Sequence, residues 1–129
     1  MRALMMCVIL IGGLVVLAGC QTGTVRGPGG QVLTVETPRM VTIQRGQTET
    51  LKIGIERKHF TGAVTVSIAQ LPAGVTVDEP SKKVETDAAT FVFKAANDAA
   101  LVRNHAMQVS AGGPEGMAVT KHVKLTVKE

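Results

Sequence analysis

Apolar residues recur at every second position of this chain from Gln31 onward, and this period most strongly limits what the chain can fold into. Leu51, Ile53 and Ile55 would share one face of a strand, and the polar residues between them would share the other. Strand side chains alternate between two faces, so the pattern is typical of strands buried on one side. The same alternation is found at Val41–Ile43, Val64–Ile68, Phe91–Phe93, Met107–Val109 and Val119–Val127. The sequence therefore predicts an all-β protein.

Turn-forming residues separate the alternating runs at intervals that suit a β-sandwich. They are Arg45-Gly46, Thr61-Gly62, Leu71-Pro72-Ala73-Gly74, Glu79-Pro80-Ser81, Asn97-Asp98 and Gly112-Gly113-Pro114. We expect about seven or eight strands between Gln31 and Val127, arranged as two packed antiparallel sheets. The predicted fold class is an immunoglobulin-like antiparallel β-sandwich with Greek-key connections. A charge at Ile53 or Val66 should then unfold the domain, because the strand faces are its source of stability.

Three segments share the pattern of a turn next to an alternating strand, namely Val41–Gly46, Phe60–Val66 and Leu71–Val77. Together with Phe93–Ala99 and Val123–Val127, they resemble bacterial immunoglobulin-like or fibronectin-like domains of exported and surface proteins. The resemblance covers roughly residues 38–129. It implies the sandwich fold and a spacer, adhesive or assembly module. The chain has no Trp, no Tyr and no Cys pair in this region, which excludes a close antibody-domain relative.

The first 20 residues carry a second resemblance. Arg2 is followed by an apolar run from Met5 to Leu17, which is the layout of a secretory signal. The final Leu17-Ala18-Gly19-Cys20 resembles the lipobox of bacterial lipoproteins, which implies cleavage between Gly19 and Cys20 and acylation of Cys20, for example by palmitate. The apolar run is shorter than the roughly 20 residues that a spanning helix needs. We therefore expect a lipid anchor and not a transmembrane helix.

The lipobox resemblance also implies a location. Gln21 stands where an aspartate would favour retention at the inner membrane. We expect an exported protein held by the lipid on Cys20, at the outer membrane if the cell has two. Several acyl chains on one cysteine should hold a protein stably, whereas one myristoyl chain binds only marginally. Cleavage would also remove Cys7, so no disulfide could form within the remaining chain.

Cleavage would leave 110 of the 129 residues, enough for one small domain. Residues 21–30 contain four glycines and one proline in ten positions. This composition predicts a flexible tether, which could extend about 33 Å from the lipid. The expected organisation is a signal peptide over 1–19, the lipidated Cys20 and tether over 20–30, and the sandwich domain over 31–129.

The charge balance limits the choice of partners. The chain has 14 Lys and Arg against 10 Asp and Glu, and the cations are scattered along it. Nucleic acid is not an expected partner, because there is no Trp or Tyr to stack on bases. We expect the cations to form solvated strand faces that an anionic membrane surface would attract.

Candidate metal ligands show no motif spacing. They are His59, His105, His122, Met40, Met107 and Met117. Thioethers are soft ligands that suit copper, so a copper-binding periplasmic protein stays open as an alternative. Methionine is more often a core residue, and no metal or other cofactor is predicted.

Catalytic residues are not evident either. Carboxylates occur in Asp78-Glu79 and Glu85-Thr86-Asp87, but neither stretch matches a calcium loop, and turn residues account for both. Ser67, Ser81 and Ser110 lack the glycine pattern of a nucleophile elbow. We expect the protein not to be an enzyme.

The predicted function is an interaction or structural module at the bacterial cell envelope, with the membrane and another envelope protein as partners. Candidate interaction loops are Leu71, Pro72, Ala73 and Gly74, and Gly112, Gly113 and Pro114. An accessory subunit of an exported glycan-active or proteolytic enzyme is a further alternative.

Overall fold

The computed structural model of this protein describes residues 20–129, which form ten strands and two short 3-10 turns. The prediction of an all-β fold is confirmed, and no helix of the described residues could cross a membrane. The structure has more strands than the seven or eight expected, because the short strand at Ser81–Val84 shows no alternation of apolar residues and the strand at Cys20–Arg26 precedes the predicted domain. The strands are β1 (Cys20–Arg26), β2 (Val32–Pro38), β3 (Met40–Gln44), β4 (Thr48–Lys58), β5 (Val64–Ala69), β6 (Val75–Val77), β7 (Ser81–Val84), β8 (Ala88–Ala95), β9 (Val102–Gly112) and β10 (Ala118–Lys128).

The strands form two sheets of five. Sheet A has the order β1-β2-β4-β8-β6, and sheet B has the order β3-β10-β9-β5-β7. The hairpins β1–β2 and β9–β10 each stay within one sheet, whereas every connection from β2 to β9 passes from one sheet to the other. The two sheets share a single apolar core, which is the arrangement of a β-sandwich.

The expectation of purely antiparallel sheets was wrong for one pair. β3 lies parallel to β10, with Met40 opposite Lys124 and Gln44 opposite Lys128. β2 ends at Pro38, which has no N–H to continue the ladder of sheet A. The chain crosses to sheet B at Arg39 and continues as β3 beside the last strand.

The predicted tether is also not what the structure shows. β1 pairs with β2 along its whole length, from Cys20 opposite Pro38 to Arg26 opposite Val32. The glycine-rich residues 27–31 close this hairpin, and the Gly27 N–H donates to the Gln31 carbonyl at 2.8 Å. Most of the glycines thus lie in one turn, while threonine and valine give residues 22–25 a preference for strand.

The core consists of the alternating faces that the sequence predicts. Ile53 and Val66 are fully buried, as are the largest core side chains, Phe91 and Phe93. Exposed residues such as Lys52 separate the buried positions of β4. Local period was sufficient to assign these faces because each strand has one side against the core.

Candidate functional site

The predicted lipidation residue lies at an edge of the sandwich. Gly19 and the predicted signal peptide lie outside the described residues, and Cys20 is the first described residue of β1. Cys20 is half-buried and lies opposite Pro38 in the adjacent strand. Cys20 is therefore itself part of sheet A, and no loop separates it from the strand pairing.

The residue after the cysteine is bound to both sheets. Gln21 Nε2 donates to Thr37 Oγ1 at 3.1 Å and also to the carbonyl oxygen of His122. Thr37 belongs to β2 in sheet A, and its polar side chain is fully buried. His122 belongs to β10 in sheet B. One amide thus fixes the beginning of β1 across the edge of the sandwich.

A close approach at Gly23 fixes β1 further along. A Cβ at Gly23 would lie 2.7 Å from Lys121 Cδ and 2.8 Å from Val119 Cγ2. Only a glycine allows the stem of Lys121 to pack on the β1 backbone so closely. β1 is therefore seated on β10 as well as paired with β2.

A basic corner lies next to Cys20, where the chain passes from sheet A to sheet B. Arg39 and Met40 are exposed, and the backbone N–H of Lys124 donates to the Arg39 carbonyl at 2.9 Å. The Lys124 side chain is exposed on the outer face of sheet B, opposite Met40. We call Cys20, Pro38, Arg39, Met40 and Lys124 the anchor corner.

The sequence contains a pattern that could have predicted the β1–β2 hairpin. Gln21, Gly23 and Val25 alternate with threonines, and a turn separates them from a second alternating run in β2. Two such runs around a short glycine-containing loop indicate a hairpin. Glycine content alone led to the prediction of a tether.

The predicted loop at 71–74 is fastened to its surroundings. Pro72 is buried, and only Ala73 and Gly74 are exposed. The Ala100 N–H donates to the Ala73 carbonyl at 3.1 Å, and the Ala96 N–H donates to the Gly74 carbonyl at 2.9 Å. Its contact surface for a partner would consist of these two exposed residues.

The predicted loop at 112–114 belongs to a hairpin end. Gly112 closes β9, and the Gly113 N–H donates to the Met117 carbonyl at 2.8 Å, which repeats the hydrogen bond of the 27–31 turn. Met117 joins the two turns, because a Cβ at Gly27 would lie 2.8 Å from its Sδ and a Cβ at Gly113 would lie 3.4 Å from its Cε. The Gly-Pro-x-Gly sequence shared by both turns could have indicated this similarity.

The two predicted loops lie at opposite ends of the sandwich. β5 and β9 are antiparallel, with Thr65 opposite Gly112 and Ala69 opposite Gln108. Residues 112–114 are therefore near the start of β5, whereas residues 71–74 follow its end. The structure does not combine them into one surface.

The candidate metal ligands are dispersed. Met107 and Met117 are buried in the core, whereas Met40 is 39% exposed at the anchor corner. His105 Nε2 lies 2.8 Å from the Gln70 carbonyl oxygen. Among residues 20–129, no group of three or more His, Cys, Asp or Glu side chains could hold a metal ion.

The loop carboxylates lie in two places, each with a cation. Asp78 Oδ1 accepts the Glu79 N–H at 2.8 Å, and Glu79 is 3.5 Å from Lys82 Nζ. Asp87 is 3.9 Å from Arg57 Nη1. A surface depression of about 340 Å³ lies near Arg57, lined by Arg26, Val32, Thr34, Glu56, Arg57 and Lys58.

Arg57 connects β4 to two loops and should contribute strongly to stability. Its guanidinium donates at 2.8 Å to the carbonyl oxygens of Gly62, Thr86 and Val84, and its side chain is only 11% exposed. We expect Arg57→Met to lower the free energy of unfolding by about 2–4 kcal/mol, because three carbonyls lose a charged donor. Urea unfolding measures this loss. The exposed neighbour gives the control, Lys58→Met, for which we expect a change within about 0.5 kcal/mol; equal losses would contradict the role of Arg57.

The pKa of Glu36 is raised by burial and, second, by repulsion from Glu56. Because the folded state then binds this proton more tightly than the unfolded state, ionisation of Glu36 opposes folding. Its cost is present at neutral pH and disappears as the pH falls through the raised pKa. In Glu56→Gln we expect the pKa of Glu36 to fall but to stay above its ordinary value, because burial is the larger cause. NMR titration of the Glu36 carboxyl, with Glu49→Gln as control, measures this; an unchanged pKa in Glu56→Gln would exclude the repulsion.

The anchor corner has the most specific geometry among these candidate sites, since it joins both sheets at the predicted lipidation residue. No protein-family model matches the chain, and no match was found among curated proteins or solved structures.

Proposed function

We propose that this protein is a non-catalytic lipoprotein of the bacterial cell envelope, anchored by acyl chains on Cys20 and serving as an interaction or structural module. The observation that carries the proposal is the lipobox-like Leu17-Ala18-Gly19-Cys20 at the end of an apolar run. Cys20 lies in an edge strand of sheet A and pairs with Pro38, so acyl chains on it would be attached to the folded domain.

We further propose that the sandwich is of the immunoglobulin-like type with Greek-key connections. The repeated passage of the chain between two five-stranded sheets supports this type. Such modules commonly act through loops and strand edges. Here the edges are β1 and β6 in sheet A and β3 and β7 in sheet B.

The proposed partner is another envelope protein, and the proposed location is the outer membrane if the cell has two. The exposed loop residues available to a partner are Ala73 and Gly74 at one end and Glu115 and Gly116 at the other. We do not expect nucleic acid to bind.

The test is crosslinking of the full-length protein in its native membranes, with a Cys20→Ser variant as control. We expect the wild-type chain to fractionate with membranes and its amino-terminal residue to be an acylated Cys20 by mass spectrometry. We also expect one recurrent protein to be recovered with it and not with the control. A wild-type chain that keeps residues 1–19 or carries an unmodified Cys20 would contradict the lipoprotein assignment.

The loops are tested separately by charge changes at exposed positions. Ala73→Asp and Glu115→Arg should leave the melting temperature within a few degrees of wild type, because neither side chain is in the core. A partner that contacts either loop would then be recovered less well. Unchanged recovery with both variants would identify the loops as connections only.

A further inference from the structure

We infer that the anchor corner docks directly on anionic lipid headgroups, with Arg39 and Lys124 as the contacting cations. The inference rests on the proposed function, because it needs the acyl chains on Cys20. It adds a defined orientation of the domain relative to the membrane. The edge of the sandwich at β1 and β3 would face the membrane, and the domain would not extend away on a tether.

The first reason is that no flexible segment lies between the proposed lipid anchor and the sandwich. A flexible segment over residues 21–30 would let the domain move about 33 Å from the membrane. Instead, Gln21 is bound to Thr37 and to the His122 carbonyl, and Gly23 is packed against Lys121. Because Cys20 is itself part of sheet A, acyl chains on it would be attached directly to the sheet. The corner is thus kept within about one Debye length, roughly 8 Å, of the headgroups.

The second reason is the charge at this corner. Arg39 and Lys124 are both exposed, and within residues 20–129 neither has a carboxylate at ion-pair distance. The hydrogen bond from the Lys124 N–H to the Arg39 carbonyl keeps their backbones adjacent. Each basic residue near an anionic membrane changes the binding equilibrium by about fivefold. Met40 follows Arg39, lies opposite Lys124 and is 39% exposed, so it can contact the interface as well.

The sheet order identifies the surfaces that would face away from the membrane. β7 is at the opposite edge of sheet B from β3, with three strands between them. At about 4.8 Å per strand, these edges are about 19 Å apart. Thr42 on β3 and Ser81 on β7 are both exposed, and they can report on the near and the far edge.

The experiment uses the full chain, processed and lipidated in bacterial cells and reconstituted into vesicles. One set of vesicles contains phosphatidylcholine alone, and the other also contains phosphatidylglycerol; both carry a lipid with a spin label on its headgroup. A fluorophore is placed in Thr42→Cys or in Ser81→Cys. We expect quenching at position 42 to exceed that at position 81 several-fold in the anionic vesicles.

Two variants of equal net charge test the contacting residues. Arg39→Glu with Lys124→Glu should lower the ratio of docked to undocked protein by at least about 25-fold. The control, Lys58→Glu with Lys83→Glu, changes exposed cations away from the corner and should leave the ratio unchanged. If the first variant fails to fold, Arg39→Gln with Lys124→Gln removes the same cations without adding negative charge. Ten Gly and Ser residues inserted after Cys20 should equalise the quenching at both positions.

Vesicle flotation separates the two proposals. A chain that floats with the vesicles but is quenched equally at positions 42 and 81 would overturn the docking and leave the lipid anchor intact. Docking that both charge variants weaken equally would overturn the assignment to Arg39 and Lys124. A wild-type chain that does not float would overturn the anchor, and the docking with it.

Discussion

Replacement of Ile53 by aspartate should abolish the folded domain. Ile53 is fully buried on β4, a strand inside sheet A, where it lies opposite Ala89. The substitution removes a core side chain, at a cost of about 2–5 kcal/mol, and places an unpaired carboxylate there, which costs several kcal/mol more. The sum is comparable with the roughly 5–15 kcal/mol that stabilises a typical domain.

Circular dichroism and urea unfolding would measure this effect against two matched variants. Thr50→Asp places the same charge on the exposed face of the same strand, and we expect a change within about 0.5 kcal/mol. Ile53→Val keeps the site apolar and should cost about 0.5–1.5 kcal/mol. An Ile53→Asp variant with the melting temperature of wild type would contradict the assignment of this face to the core.

The second large effect is expected for Gly74→Ala. Gly74 has a φ of 86°, and a Cβ there would lie 2.6 Å from the Cα of Ala99. The neighbouring atom is backbone, and the hydrogen bond from the Ala96 N–H to the Gly74 carbonyl limits its movement. Left-handed strain and overpacking together should lower the free energy of unfolding by about 2–5 kcal/mol.

Gly116→Ala is the control that separates strain from collision. Gly116 has a φ of 76°, and a Cβ at this position would meet no atom within 4 Å. We expect it to lose only the strain, about 1–2 kcal/mol. Equal losses in denaturant unfolding of the two variants would show that the 71–74 loop moves away from Ala99 without cost.

Local period determined the parts of the fold that the sequence predicts correctly. The buried faces of β4 and β5 follow from alternation alone, because each strand needs only one side against a core. Alternation does not indicate which strands pair. The parallel contact of β3 with β10 joins residues more than eighty positions apart, so it depends on the sheet change at Arg39.

The candidate site also has a part that the sequence shows and a part that only the folded structure brings together. The cysteine and the lipobox-like residues before it are evident in the sequence, because they form one continuous segment. Arg39, Lys124 and the amide of Gln21 belong to separate segments, and only the packed sheets bring them together. The glycine content of residues 21–30 predicted a tether. Composition does not show that β1 pairs with β2 and packs on β10.

The sequence by itself thus determined the β class, the inward faces of the long strands and the position of the predicted lipid. The tertiary structure decided that β1 joins the sandwich, that β3 lies parallel to β10 and that Arg39, next to the strand partner of Cys20, is hydrogen-bonded to Lys124. The physical reason is the range of the interactions. Side-chain alternation is a property of neighbouring residues, whereas strand pairing and packing between sheets join residues that are distant in the chain.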